Sequence, residues 1–156
     1  MPTVENRGIQ IHYEVHGSGH PVVLIHGGTV SFKHNYADFG WIEALNHSGL
    51  QVIGLDLRGH GKSGKPHEIE SYGTSNLASD VVTVLDQLSL TRVSLVAYSI
   101  GTAVALHLLK SFPERFDKAA LIATGDGLIG HLPHTFNNLL PALREVLDRA
   151  DYPKDL

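Results

Sequence analysis

Four short runs of consecutive apolar residues constrain the fold of this chain most strongly. They cover residues 21–25, 52–55, 93–97 and 119–123 and are rich in Val, Ile, Leu and Ala. Runs of this length without polar alternation predict strands that are buried on both faces, as in parallel sheets. Segments with helical patterns separate some of these runs, so the sequence predicts an α/β fold with right-handed crossovers.

Two segments between the predicted strands have these helical patterns. One of them places apolar residues on one helix face: Leu77, Val81, Val84, Leu85 and Leu88. It follows Thr74 and Ser75, whose hydroxyl groups are suited to cap a helix N-terminus. The other, residues 100–109, is apolar on nearly all sides, which is typical of a helix buried against a sheet. We therefore predict a mainly parallel sheet with helices on both faces.

The first residues predict a β-hairpin. Asn6, Arg7 and Gly8 have the composition of a tight turn, and apolar residues alternate with polar ones from Ile9 to Tyr13. This pattern indicates two antiparallel strands with one face in water. We expect the hairpin to cover one edge of the sheet.

Composition argues against several classes of function. The 156 residues have a net charge of −4 and no run of Lys and Arg, so nothing favours a nucleic-acid partner. The chain has no cysteine, which excludes disulfides, thiolate metal ligands and cysteine nucleophiles. No apolar stretch has the length of a signal-peptide core or a membrane span. We expect no membrane span and a cytoplasmic location.

One glycine-rich stretch imitates two phosphate-binding motifs. Residues 59–64 (GHGKSG) follow a predicted strand and match G-x-G-x-x-G, the pattern of dinucleotide sites. In those sites the third glycine packs within a helix, but here Pro66 follows and the helical pattern begins only near residue 74. The P-loop pattern fails too, because Asp56 stands where its first glycine is needed. A structural turn is the better interpretation.

Histidine is frequent, with 11 residues, which raises the question of a metal site. His131 and His134 lie three residues apart and near Asp126. Pro133 interrupts the regular helical spacing that would bring both imidazoles to one ion. We interpret them as solvated loop histidines and predict neither a metal nor an organic cofactor.

A single serine stands where a buried strand meets a buried helix. Ser99 has the small residues Ala97 and Gly101 two positions away on either side. This arrangement predicts a sharp strand–turn–helix that raises the hydroxyl above the sheet. The N–H of Ile100, at the helix N-terminus, can donate to a developing oxyanion there. The alternative is that Ser99 merely caps the helix.

A second loop favours the catalytic interpretation of Ser99. His26, Gly27, Gly28 and Thr29 directly follow the first buried strand, and the two glycines free the backbone to turn an N–H toward the strand ends. Loops after parallel strands lie at the same carboxyl edge of a sheet. The two loops are therefore expected to face one site, although an ordinary strand–helix turn also uses glycine.

Together these motifs resemble the α/β-hydrolase family. The resemblance covers residues 1–123 and rests on five features: the N-terminal hairpin, HGG at 26–28, DLRGHGKS at 56–63, AYSIG at 97–101 and PERF at 113–116. It implies that Ser99 is the nucleophile and that the backbone N–H groups of Gly28 and Ile100 form the oxyanion hole, with Thr29 as an alternative donor. Small esterases and lactonases are the most similar members. Ala97 stands where the family more often has glycine.

The resemblance also predicts how the chain is divided. Residues 1–123 are expected to be the N-terminal part of the hydrolase core, and residues 124–156 the start of a helical cap. In this family the acid and then the histidine of the triad follow the serine. Asp126 is the candidate acid, or a residue that stabilises a glycine turn. The catalytic histidine is expected to be missing, so that the chain alone should be nearly inactive.

The sequence thus predicts a serine hydrolase that acts on a small-molecule ester or a similar acyl substrate. The alternative is a non-catalytic hydrolase-like protein whose pocket binds a small ligand or a partner. An apparently truncated sheet would end in an unpaired strand, which predicts self-association or pairing with a complementing C-terminal chain. Covalent acylation of Ser99 distinguishes the enzyme from the binding protein.

Overall fold

The computed structural model describes residues 2–124. The strands are β1 (Thr3–Asn6), β2 (Ile9–His16), β3 (His20–Ile25), β4 (Leu50–Leu55), β5 (Val93–Tyr98) and β6 (Phe116–Ile122). The α-helices are α1 (Phe32–Asn35), α2 (Trp41–His47), α3 (Thr74–Gln87) and α4 (Gly101–Ser111), and 3-10 turns cover Ala37–Phe39, Ile69–Tyr72 and Pro113–Arg115. Every predicted strand and both predicted helices within this range are present. The predicted cap lies outside the described residues.

The N-terminal hairpin is present as predicted. β1 and β2 pair antiparallel, and their turn consists of Arg7 and Gly8, which have φ angles of 52° and 81°. Two positive φ angles are the backbone of a type I′ turn. Ile11 is buried as the alternation predicts, but His12 on the opposite face is buried as well. Its Nδ1 lies 3.3 Å from the carboxylate of Asp56, which is also buried.

The six strands form one sheet in the order β1-β2-β4-β3-β5-β6. Strands β3 to β6 are parallel, and β2 joins β4 antiparallel, so the hairpin lies at one edge. After β4 the chain crosses over β3 to form β5 on its other side, which reverses the direction of strand addition. Such a reversal leaves a crevice at the carboxyl ends of the two central strands. The loops after β3 and β5 therefore flank this crevice.

At the far edge of the sheet, β6 pairs with β5 and has no second strand partner among the described residues. An open strand edge offers unpaired N–H and C=O groups to another strand. The self-association expected from the sequence stays a prediction.

Helices cover both faces of the sheet. On one face α3 and α4 enclose the larger apolar core, which includes Val81, Leu85, Val104 and Leu108. On the other face Phe32 and Tyr36 pack against alternate residues of β3 and β4. The helices α1 and α2 on this face are four and seven residues long, too short for the apolar periodicity that identifies a helix in a sequence. No helix among residues 2–124 is long and apolar enough to cross a membrane.

The capping role predicted for Thr74 and Ser75 is wrong. Thr74 is already the first residue of α3, and Gly73 occupies the N-cap position without a side-chain hydrogen bond. The 3-10 turn Ile69–Tyr72 leads directly into the helix, and Arg58 fixes this entry by donating to the Ser71 carbonyl oxygen over 3.0 Å. Tertiary contacts rather than a cap thus set the start of α3.

Candidate active site

Ser99 lies in a sharp turn between β5 and α4. Its φ angle is 51°, a left-handed conformation that is strained for residues other than glycine. The Ser99 N–H donates to the Ile122 carbonyl oxygen over 2.9 Å, and the Ser99 carbonyl accepts the hydroxyl and the N–H of Thr102 at 2.5 and 2.9 Å. A serine held in this way at the carboxyl end of a central strand has the geometry of a nucleophile elbow.

Small residues beside Ser99 allow this turn to pack against β3. A Cβ at Gly101 would lie 2.6 Å from the His26 carbonyl oxygen and 2.7 Å from that of Ile25. Only glycine fits there, because the neighbours are backbone atoms that cannot rotate away. The loop after β3 also approaches Ser99 itself, since a Cβ at Gly27 would lie 3.4 Å from the Cβ of Ser99. The two loops that the sequence predicts to face one site are thus in contact.

His26 supports the start of the loop after β3 from inside the protein. Its Nδ1 lies 2.6 Å from the Gly27 carbonyl oxygen, and its Nε2 lies 3.0 Å from the Leu57 nitrogen. A carbonyl accepts and an N–H donates, so Nδ1 carries the proton and Nε2 is the acceptor. Burial lowers the pKa of His26 from 6.5 to about 4, which keeps the ring neutral near pH 7. With both ring nitrogens engaged, His26 is a structural residue and not a general base.

The backbone N–H groups near Ser99 differ in how they are used. Thr29 donates its N–H to Nε2 of His60 over 3.3 Å and its hydroxyl to the Gly28 carbonyl over 2.7 Å. The N–H groups of Gly28 and Ile100 have no acceptor within residues 2–124. These two residues are also neighbours, since a Cβ at Gly28 would lie 3.6 Å from Cγ2 of Ile100. Within residues 2–124, Gly28 rather than Thr29 therefore has an N–H group without an acceptor.

A cavity of about 370 Å³ lies beside Ser99 and Gly28. Its walls are largely apolar and include the side chains of Val30, Tyr36, Phe39, Trp41 and Ile122. Within the described part of the chain, no carboxylate, Lys or Arg lines it. A cavity of this size and lining suits an uncharged, largely apolar small molecule.

Within residues 2–124, no histidine or carboxylate forms a hydrogen bond with Ser99. His34 lines the cavity, but its Nδ1 lies 2.9 Å from the Ser31 hydroxyl. His107 is half-buried in α4. Three further candidates lie outside the described residues: Asp126, His131 and His134. Within residues 2–124, no three side chains are grouped as ligands for a metal ion.

The glycine-rich loop at residues 59–64 is closed on itself. The Gly59 N–H donates to the Gly64 carbonyl over 2.8 Å. The carboxylate of Asp56 accepts the Lys62 N–H over 2.9 Å. These amides are used inside the protein rather than offered to a phosphate, and no α-helix follows the third glycine directly. The loop has the form of the structural turn that the sequence predicts.

Two side chains that shape the site are not identified by the sequence reasoning. Asn35 accepts the Gly27 N–H at Oδ1 over 2.8 Å. Trp41 lines the cavity and packs edge-on against Tyr36, with 5.4 Å between ring centroids. The signal that could have found them is the density of aromatic and amide residues at 32–41, directly after the HGG sequence.

Known proteins share this fold and part of this sequence. The model of the alpha/beta hydrolase fold family matches residues 20–154. Bifunctional epoxide hydrolase 2 from Sus scrofa is 32% identical over 120 residues, which make up 75% of this chain and 20% of that protein. This chain therefore belongs to the alpha/beta hydrolase fold family, as the sequence motifs predict.

Two solved structures show the same relationship. Est816, an N-acyl homoserine lactone degrading enzyme, superposes with a TM-score of 0.75 and 30% identity over 94% of this chain and 56% of its own. A bromoperoxidase from Bacillus anthracis superposes with a TM-score of 0.66 and 37% identity over 72% of this chain and 40% of its own. In each of the three comparisons the chain spans less than two thirds of the relative's length.

Proposed function

We propose that this chain carries the nucleophile and the oxyanion hole of a serine hydrolase that cleaves an ester or a similar acyl bond. The Ser99 hydroxyl attacks the carbonyl carbon, its proton passes to a general base, and the carbonyl electrons move onto the oxygen. The N–H groups of Gly28 and Ile100 stabilise this oxyanion. The intermediate then expels the leaving alcohol, which takes up a proton, and water hydrolyses the acyl-serine.

The observation that carries this proposal is the strained φ angle of Ser99 next to the N–H groups of Gly28 and Ile100, which have no acceptor within residues 2–124. A serine that only capped α4 would need no left-handed φ angle, and α4 has no side-chain cap hydrogen bond at its start. Strain of about 1–3 kcal/mol persists where the surrounding structure enforces it, and such residues cluster at active sites. The neutral, apolar cavity supports an uncharged acyl substrate.

The relatives support hydrolysis as the class of reaction. The protein from Sus scrofa is named an epoxide hydrolase, and Est816 is named as degrading a lactone. A lactone is a cyclic ester, and a hydroxyl nucleophile with an oxyanion hole suits attack on its carbonyl carbon. An acyl bond is therefore the better assignment for a chain whose candidate nucleophile is Ser99.

The general base is not among the hydrogen-bond partners of Ser99 in residues 2–124. It is assigned to residues beyond 124 or to a complementing chain, and Asp126 stays the candidate acid. Without a base, the serine loses most of its reactivity; in a serine protease, removal of the histidine costs roughly 10⁶ in turnover.

First-turnover release of nitrophenolate from p-nitrophenyl butyrate tests the proposal. We expect about one equivalent per wild-type chain when the general base is present, because acylation of one serine releases one leaving group, and release close to the background rate from a chain that lacks the base. Ser99→Ala should give only the background rate. Ser94→Ala is the matched control, because Ser94 lies on β5, the strand that leads to Ser99, and its hydroxyl pairs with His20 at 3.1 Å. Wild-type release from Ser99→Ala would assign the reaction to another group.

A further inference from the structure

The loop after β3 contains three consecutive backbone N–H groups, of which the outer two are occupied. The Gly27 N–H donates to Oδ1 of Asn35 over 2.8 Å, and the Thr29 N–H donates to Nε2 of His60 over 3.3 Å. Only the middle group, the Gly28 N–H, lacks an acceptor within residues 2–124. Asn35 lies in α1 and His60 lies after β4, so two separate segments hold the ends of this short loop.

Hydrogen bonds at His60 and at the neighbouring Arg58 hold the Nε2 atom of His60 in place as an acceptor. Its Nδ1 lies 3.1 Å from the Arg58 carbonyl oxygen, so Nδ1 carries the proton and Nε2 keeps its lone pair. The Arg58 side chain donates to both carboxylate oxygens of Asp80, at 2.7 and 2.6 Å, and both residues are buried. The neighbouring ring of His26 lies 5.1 Å away between centroids.

Asn35 is held by the short helix to which it belongs. The first N–H of this helix, that of Phe32, donates to the carboxylate of Asp56 over 2.9 Å. Ser31 caps the helix by accepting the His34 N–H. Asn35 also lines the cavity that contains Ser99. Its amide oxygen is therefore fixed next to the loop that faces the nucleophile.

We propose that Asn35 and His60 are positioning residues that select the Gly28 N–H as the oxyanion donor of this loop. The proposal rests on the proposed serine hydrolase function. Gly27 and Gly28 have no side chains to restrict their backbone angles, so the neighbouring hydrogen bonds must supply the restraint. The bond to His60 also holds Thr29 at its φ angle of 63°, which a β-branched residue does not adopt without support.

If Asn35 and His60 position the Gly28 N–H, their loss should slow the acylation of Ser99 without changing the binding of the reagent. Loss of either acceptor lets the loop relax and moves the Gly28 N–H away from the oxyanion. A displacement of about 1 Å at a reacting centre can cost about 100-fold in rate. Because the oxyanion exists only after attack, the rate constant for acylation should fall while the affinity for the reagent stays nearly constant.

Labelling by a fluorophosphonate at several concentrations separates these two quantities. We expect His60→Leu and Asn35→Leu to lower the limiting rate of labelling by about 100-fold. Half-saturation should stay within twofold of wild type in His60→Leu, because His60 does not line the cavity beside Ser99. His60→Gln should recover most of the rate, because its amide oxygen can accept the Thr29 N–H. The exposed His47→Leu is the control. A wild-type limiting rate in both leucine variants would overturn the proposal.

Hydrogen exchange of the loop amides tests the same contacts without any reaction at Ser99. The Thr29 amide should exchange at least about tenfold faster in His60→Leu and regain its protection in His60→Gln. The Gly27 amide should respond in the same way to Asn35→Leu, which also covers the case that His60→Leu does not fold. Unchanged exchange at both amides would overturn the positioning role. If wild-type protein in which the general base is present is not labelled but its exchange behaves as expected, the proposed function fails and the loop restraint stands.

Discussion

The first residue of α4, Gly101, lies in direct contact with the carbonyl group of His26. A Cβ at Gly101 would lie 2.6 Å from this oxygen. The contact joins the turn that contains Ser99 to the loop that contains Gly28, across the crevice between β3 and β5. The relative position of Ser99 and the Gly28 N–H thus depends on the absence of one methyl group.

Gly101→Ala is expected to damage both stability and reactivity. The added methyl group must displace the backbone at Ile25 or His26, which we expect to cost about 2 kcal/mol of the free energy of unfolding. Urea unfolding measures this loss. Gly28→Ala is the control, because a Cβ there meets nothing closer than 3.6 Å and the N–H is retained. Equal unfolding free energies for the two variants would show that the crevice is less tightly packed than described.

The buried pair of Arg58 and Asp80 is expected to be essential for the loop after β4. Asp80 is fully buried and also accepts the Asn6 side-chain amide over 2.7 Å. Asp80→Asn leaves the guanidinium without a charge partner, and breaking such a pair costs about 3–5 kcal/mol. Asp117→Asn, in the partly exposed pair with Arg92, should cost at most about 1 kcal/mol. Urea unfolding of both variants checks the ranking, which a smaller loss for Asp80→Asn would contradict.

Acid stability is expected to depend on His26. Its pKa is lowered from 6.5 to about 4 in the folded chain, so between these values the unfolded chain binds one proton more. The free energy of unfolding should therefore fall by roughly 3 kcal/mol as the pH decreases through this window.

His26→Gln should be less stable at neutral pH but should lack this part of the pH dependence. Urea unfolding at a series of pH values measures it, with the exposed His47→Gln as the control that keeps the wild-type slope. A wild-type slope in His26→Gln would show that other groups cause the acid sensitivity.

The apolar wall of the cavity is expected to bind the acyl substrate. Phe39 lines this cavity and is 75% exposed, so its removal should hardly change stability. Phe39→Ala should raise the half-saturating ester concentration about fivefold, because it removes apolar contact worth about 1 kcal/mol. Ile69→Ala, at a residue that is 63% exposed and does not line the cavity, should leave it unchanged. A shift in Ile69→Ala as large as in Phe39→Ala would contradict this assignment of the wall.

The parts of the fold that follow from the sequence are those with a strong local pattern. The buried strands have continuous apolar runs, and the tight turn after Asn6 has glycine at Gly8, where φ is 81°. The sharp turn at Ser99 is predictable because the small residues Ala97 and Gly101 surround it. Each of these features can be recognised from residues that are close together in the sequence.

The parts that the sequence does not predict depend on contacts between distant segments. Asn35 accepts the N–H of a residue 8 positions away, and His60 accepts the N–H of a residue 31 positions away. Neither side chain belongs to a periodic pattern in the sequence. The burial of His12 depends on Asp56, which is far away along the chain. The start of α3 depends on Arg58 rather than on a capping side chain. Tertiary packing determines these hydrogen bonds, this burial and this helix start, so a local sequence pattern does not predict them.

The most direct test of the central claim is to locate a fluorophosphonate adduct within the wild-type chain. Trypsin cleaves after Arg92 and Lys110 and releases residues 93–110, whose two serines are Ser94 and Ser99. Fragmentation of this peptide in a mass spectrometer should place one adduct on Ser99, absent from Ser99→Ala and retained in Ser94→Ala. An adduct on Ser94, or no adduct from folded wild-type protein in which the general base is present, would contradict the assignment of Ser99 as an activated nucleophile.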